Sequence, residues 1–398
     1  MKKTTVHLLS AAITLSLSSA ATAAAFQLLE QNASGLGVAY AGSAAVAENA
    51  STVFFNPAGL AQLSGIQLSA GVTGVGPSYR FQNQGSSGAL LGNGNGGDAG
   101  GWHAVPNLYL AGRVSPDISL GLGISSPFGL ATSYDADWVG RTQAIKSEIR
   151  TVNVNPSLAY RVNERWSLGV GINYQTLNAE MTSYTPAGLY RVKGDDAAWG
   201  WNAGVLLNLS PAMRLGLSYR SAVDYRLSGS RSIGANSQAA TADIKLPDSM
   251  VFSVWQQLSD RWEAMGDISY TRWSTLDKLQ IVGAFGTDVE PFNYKNAWRV
   301  AWGAAYKAND AVKLKFGLAY DRTPVQENSR SARVPDNDRM WFSLGGQWAP
   351  RNYGVFDIGY SYLYVRNPGI EQSKLGTSLR GDYDAGAHLL GVQYSVGF

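Results

Sequence analysis

Few side chains here could perform covalent chemistry. The 398 residues include no cysteine and three histidines, and one of these, His7, lies in the apolar leader described below. A hydrolase triad needs nucleophile, base and acid in one place. His103 stands beside Trp102 and His388 opens the last strand, and neither has a serine in a recognisable nucleophile context. A lipid-acting esterase is therefore the least favoured reading. The run Gly92-Asn93-Gly94-Asn95-Gly96-Gly97 lacks the strand and helix that a phosphate cradle requires. Asp382 and Asp384 are too few carboxylates for a calcium loop. No cofactor and no metal are expected.

The elements that would position any site are strands. From His388 to the end, Leu390, Val392, Tyr394, Val396 and Phe398 fall on one face and Gly391, Gln393, Ser395 and Gly397 on the other. Period two marks a strand between unlike surroundings. It fits a half-buried strand of a soluble sheet, or a strand with lipid on one side and a lumen on the other. The N-terminus decides between them. Met1-Lys2-Lys3, the apolar stretch Leu8 to Leu17 and the small residues Ala21-Thr22-Ala23 or Ala23-Ala24-Ala25 read as a secretory signal over residues 1–23. No later segment reaches the ~20 apolar residues of a spanning helix. An exported chain that enters lipid without one must do so as a closed barrel.

Composition agrees. Glycine reaches 45 residues, and 20 Tyr and 12 Trp supply the amphipathic rings of membrane-interface girdles. Removing Lys2 and Lys3 with the signal leaves 30 basic against 29 acidic residues. That balance excludes nucleic acid as a partner class.

Residues 24–64 are Ala- and Gly-rich without sustained alternation, and Asn56-Pro57-Ala58 reads as a capped helix start. From residue 65 to 398 the pattern is strands. Short polar turns at 115–117, 163–165, 210–212, 259–261, 308–310 and 350–352 alternate with seven longer polar stretches, near 81–101, 131–147, 183–196, 228–243, 276–295, 323–338 and 367–385. Six turns and seven loops join fourteen strands, and this asymmetry is that of outer-membrane barrels. The alternation turns Trp166, Leu168, Val170, Ile172 and Tyr174 to lipid. It places Arg161, Arg220, Glu263, Asp267, Arg299, Arg339 and Asp357 in the lumen, where mixed charges are expected to pair across the wall. A barrel of this size leaks unless occupied, so 24–64 is expected to fold inside it as a plug. The expected fold is thus all-β, a fourteen-stranded antiparallel transmembrane barrel with a small helical or irregular N-terminal hatch, in the outer membrane of a Gram-negative bacterium.

Phe26-Gln27-Leu28, Ser34-Gly35-Leu36-Gly37, Ala39-Tyr40-Ala41-Gly42, Asn56-Pro57-Ala58, Phe128-Gly129-Leu130-Ala131-Thr132, Tyr219-Arg220-Ser221 and Pro335-Asp336-Asn337-Asp338-Arg339 together resemble the FadL family of outer-membrane transporters. The likeness covers essentially the whole mature chain. It implies a hydrophobic substrate caught among the extracellular loops, passed to a lumenal pocket, and released sideways through a kink in the third strand, here Ile118 to Leu130. Independently, Pro127 cannot donate to a ladder and Gly129 lets the backbone bend, so the pair can open a gap; Pro127 simply ending the strand is the alternative.

The family's best-known member holds the substrate carboxylate with basic residues at positions that fall near Ser183 and Glu290, neither of them basic. By region, Arg150, Arg191, Lys193, Lys295 and Arg299 remain as cations. Substrate contact is expected from Phe26, Leu90, Leu91, Arg150, Lys295 and Arg299, and gating from Asn56, Pro57, Ala58, Pro127, Phe128 and Gly129. The partners expected are long-chain fatty acids or other small hydrophobic molecules, neutral aromatic hydrocarbons included, together with outer-membrane lipid and lipopolysaccharide. A monomer is expected.

Overall fold

The structure, a computed structural model, describes residues 25–284, 286–351 and 353–398. The signal expected over 1–23 lies outside the described residues. Fourteen antiparallel strands form the wall: β1 (Ile66–Asn83), β2 (His103–Arg113), β3 (Ile118–Ser125, resuming at Gly129–Ser133), β4 (Lys146–Arg161), β5 (Trp166–Thr185), β6 (Gly188–Ser210) and β7 (Met213–Arg220). They continue with β8 (Ser249–Gln257), β9 (Trp262–Thr271), β10 (Ala297–Lys307), β11 (Val312–Asp321), β12 (Arg339–Trp348), β13 (Val355–Val365) and β14 (Thr377–Gly397). Each pairs with the next, and β14 closes the ring on β1, from Gln67 opposite Gly397 to Asn83 opposite Gly381.

All six short turns lie where the sequence puts them. The opposite rim is more ordered than its composition implies. β5 and β6 run on past residue 183 to a tight turn between Thr185 and Gly188. Val223–Ile233 pairs with Asn236–Leu246, and Lys278–Gly283 with Gly286–Pro291. Above the bilayer the outward face is wet and the apolar side chains turn inward, Val223, Tyr225 and Leu227 being buried while Asp224, Arg226 and Ser228 are exposed, so the contrast that marks a lipid-spanning strand is reversed there.

Within the membrane the alternation holds: Val170 and Ile172 are 56% and 54% exposed, while Ser167 and Asn173 beside them are buried. Outer-wall aromatics form two belts. Tyr174 meets Trp199 and Trp201 meets Tyr219 on the loop side. Trp262 meets Tyr306, and Phe356 meets Trp348 and Tyr394, on the turn side.

The segment from Ala25 to Ser64 lies inside the ring. It is mostly irregular, with short helical turns at Leu36–Val38, Thr52–Phe55 and Pro57–Gln62. Asn56 caps the last as expected, its Oδ1 accepting from the Ala58 N–H with Pro57 at the first helical position. Its Nδ2 reaches out to Ala44 O at 2.7 Å and to Val205 O of β6 at 3.1 Å. Inward glycines make room for this contact: a Cβ on Gly169 would overlap the Pro57 and Ala58 backbone, and one on Gly204 the Asn56 side chain.

The lumenal charges correct one expectation. Some do pair across the wall, as Lys313 with Glu263 and Lys315 with Asp357. Most instead grip the segment's backbone: Arg214 donates to Val46 O, Arg220 to Phe54 O, Arg299 to Ala39 O and Lys315 to Ser34 O, while Asp267 accepts from Gly42 N–H. An irregular chain cannot satisfy its own carbonyls when buried, and the wall supplies the donors.

Candidate functional site

The third strand breaks at Ser126-Pro127-Phe128. Below the break β3 pairs with β2 from Leu108 to Arg113. Above it, Gly129–Ser133 pairs with β4 alone. β2 itself continues along β1 up to His103, so among the described residues its edge from His103 to Asn107 has no ladder partner on the β3 side. Pro106, with no N–H to leave unpaired, sits in that edge. The strand resumes beyond Pro127, so the proline marks an interruption within β3.

The peptide groups freed by the break are taken up from inside. Leu28 N–H donates to Pro127 O at 2.8 Å and Gly129 N–H to Phe26 O at 2.9 Å, which sets Gln27 opposite Phe128. Gln31 brackets Ser126, donating to its carbonyl at 2.7 Å and accepting from its N–H at 3.1 Å. The Thr151 hydroxyl of β4 donates to Phe128 O at 2.7 Å and accepts from Phe128 N–H at 3.0 Å. Ala25 N–H is held by Asp336 at 2.9 Å, and Arg339 holds Asp336 in turn.

Above this latch is an apolar chamber filled by its own packed side chains. Phe26 sits edge-on to Trp273 at 4.9 Å and to Phe128 at 6.2 Å, and Tyr294 and Phe292 extend the aromatic run. Val223, Leu246, Leu276 and Val334 complete the cluster. Towards the loops, Met181, Val192, Leu227, Leu279 and Ile281 line a small groove. Beneath the chamber a cavity of about 60 Å³ lies between Leu28, Phe54, Phe128, Arg220 and Arg299.

Of the residues expected to touch substrate, Phe26 is in the chamber with Phe128 of the gate set. Leu90 and Leu91 are half-buried in the β1–β2 loop, where Arg141 holds both their carbonyls. Leu91 packs against a separate apolar cluster around Tyr134, Trp138 and Tyr383. Arg299 is lumenal, donates to Ala39 O and stands among the carboxylates of Asp321, Asp267 and Glu30. Two placements are corrections. Arg150 has the parity of lipid-facing Leu158 and Tyr160, opposite to Thr151, and pairs with Glu148 on the outer face. Lys295 is exposed on the loop before β10. Neither reaches the chamber, because regional proximity in sequence does not fix which face of a strand a side chain takes.

Gln31, Thr151, Asp336 and Arg220 emerge as site residues that sequence reasoning did not assign. Arg220 and Asp336 both sit inside motifs that carry the family resemblance, which was the available signal. Glu290 meets Lys374 at 3.2 Å and Arg333 at 3.5 Å. Within the N-terminal segment, burial pushes the Glu30 carboxyl up to about 7, with its own backbone N–H and, at longer range, Arg339 and Arg299 drawing it back in part.

A closed, girdled barrel with a filled lumen and an apolar chamber above a broken strand is an outer-membrane transporter of hydrophobic compounds. Over residues 14–398 the chain matches the family described as outer membrane protein transport protein (OMPP1/FadL/TodX), and it belongs to that family. It is 32% identical over 461 residues to outer membrane protein P1 of Haemophilus influenzae, with all of both chains covered. It is 27% identical over 435 residues to the long-chain fatty acid transport protein of Escherichia coli, covering 96% of each. Among solved structures, a Pseudomonas aeruginosa FadL homologue superposes with a TM-score of 0.88 at 23% identity, over 94% of this chain and 100% of that one. The Pseudomonas putida toluene transporter TodX does so at 0.71 and 16%, over 92% and 98%.

Proposed function

We propose that this protein takes up long-chain fatty acids passively, without covalent chemistry of its own. The apolar surfaces around Leu90, Leu91 and Ile281 catch the substrate, the chamber of Phe26, Phe128 and Trp273 receives it, and the N-terminal segment acts as the hatch. Release is lateral, past Pro127-Phe128-Gly129 and the open edge of β2. The observation that carries this reading is the latch: the segment's own peptide groups complete the broken strand beside the unpaired edge, so moving the segment also frees the wall. An alkyl chain gains by leaving into lipid, since crossing water would cost about 0.8 kcal/mol per methylene rehydrated. Outside, the ion pairs of Lys146, Glu148, Arg150, Glu180 and Arg191 lie above the loop-side girdle, at the level of lipopolysaccharide head groups. The ring closes on itself and works as a monomer.

The second reading, neutral aromatic hydrocarbons by the same route, is favoured by Ser183 and Glu290, neither of them basic, near the positions where the resemblance implies the carboxylate-holding residues. Uptake of labelled oleate and of toluene, by cells lacking their own transporter and expressing this one, separates the two. Oleate uptake above background supports the first, toluene uptake alone supports the second, and neither defeats the transport reading.

A further inference from the structure

Two guanidinium groups line the cavity under the chamber, Arg220 and Arg299. Their electrical surroundings differ. Around Arg299 stand the carboxylates of Asp321, Asp267 and Glu30. Arg220 has neutral partners: Nη1 donates to the Asn173 amide oxygen, Nη2 to Phe54 O at 2.9 Å, and the group lies over the Phe54 ring at 4.3 Å. Among the described residues its ionisable neighbour is the phenol of Tyr109. An enclosed cation without a counter-ion is costly. A guanidinium offers five N–H donors, and those not used on Asn173 and Phe54 remain available to a ligand.

We propose that the missing partner is the carboxylate of the transported acid, and that Arg220 is the residue by which this protein reads an anionic head group. The proposal rests on the fatty-acid reading above. The cavity's size suits a head group and a few waters and not an alkyl chain. The apolar cluster directly above, in which Phe128 and Phe26 pack on Trp273, takes the tail as those side chains part. Asp267 borders the same cavity, but its oxygens are occupied by the Gly42 N–H and the Ser43 hydroxyl, which turns its charge toward the N-terminal segment. The serines in the lining, Ser218, Ser249 and Ser269, add neutral donors. This assignment displaces Arg150 and Lys295, which do not face the lumen, and Arg299, whose charge is already matched.

The test compares oleate with oleyl alcohol, which share a tail and differ in the charged head, by tryptophan fluorescence of the full-length protein in detergent at pH 8. Arg220→Met is expected to weaken oleate about tenfold or more, the loss of a charge-assisted hydrogen bond, and to leave the alcohol's affinity unchanged. Asn173→Asp keeps the shape and gives Arg220 an internal counter-ion, so it is expected to weaken oleate selectively even if Arg220→Met fails to fold. Arg220→Lys is expected to keep part of the preference. Equal effects on both ligands, or none on oleate, in the folded variants would overturn the assignment while leaving hydrophobe transport in place. Failure of the unaltered protein to bind either ligand would overturn the fatty-acid reading itself and this proposal with it.

Discussion

Gln27 and Phe128 face each other as an antiparallel pair, the place among the described residues where the N-terminal segment adds a rung to the barrel's ladder. The bonds of Leu28 and Gly129 flank that pair, so it is of the non-hydrogen-bonded kind, in which side chains approach most closely. A break in a wall strand would ordinarily leave peptide groups unsatisfied at bilayer depth. Here the N-terminal segment supplies them, so the segment and the wall strand are joined at the break.

Asn56 ties three parts of the structure together, bonding the Ala58 N–H, Ala44 O and Val205 O. Asn56→Ala is expected to cost about 2–4 kcal/mol, three hydrogen bonds at roughly 1 kcal/mol each. The temperature at which the folded band disappears in heat-modifiable gel migration should fall. An unchanged transition would mean that the tie contributes nothing to stability.

Deleting residues 26–60 is expected to convert a closed barrel into a conducting one, because fourteen strands enclose more space than their own side chains fill. Single-channel recording in planar bilayers reads this directly. A deleted form that inserts and stays as non-conducting as the intact protein would contradict the plug role.

Glu30 is buried, none of the described side chains donates to it, and burial pushes its carboxyl up to about 7 from an ordinary 4.5. The folded state therefore holds a proton more tightly than the unfolded state does. Stability from this group is unaffected below pH 4.5, declines as pH rises towards 7, and is level above that. The loss is on the order of 3 kcal/mol. Glu30→Gln should flatten this decline and raise the unfolding temperature at pH 8, measured by the same gel assay across pH 5 to 8. A variant with the same slope as the parent would exclude Glu30 as its source.

The wall was legible in the sequence because lipid imposes a strict contrast. Trp166 to Tyr174 face one way and Ser167 to Gln175 the other, and the six short turns punctuate the count. The rim was not, since Leu189 to Asp195 continue a strand whose outward face carries Arg191, Lys193 and Asp195 and whose half-buried face carries Tyr190 and Val192, the reverse of the contrast in lipid. Lumenal charges were placed correctly as inward, yet their partners were misjudged. Arg214, Arg220 and Arg299 bond to carbonyls of the irregular segment, and no sequence pattern marks a backbone group as needing a donor. The kink was legible from Pro127 and Gly129. The peptide groups of Phe26 and Leu28 that fill it were not, because such a contact depends on no side-chain type.

The most direct test of the gating account is a disulfide across the latch. Gln27→Cys with Phe128→Cys places thiols on directly opposed residues whose Cα separation, ~4.5 Å for such a pair, falls within disulfide range, in a chain with no other cysteine. Oxidised, the protein should remain folded and oleate uptake should drop to background; reduced, uptake should return to the level of the single-cysteine controls. Uptake that is the same with the bond closed and open would contradict a gate formed by the N-terminal segment and the third strand.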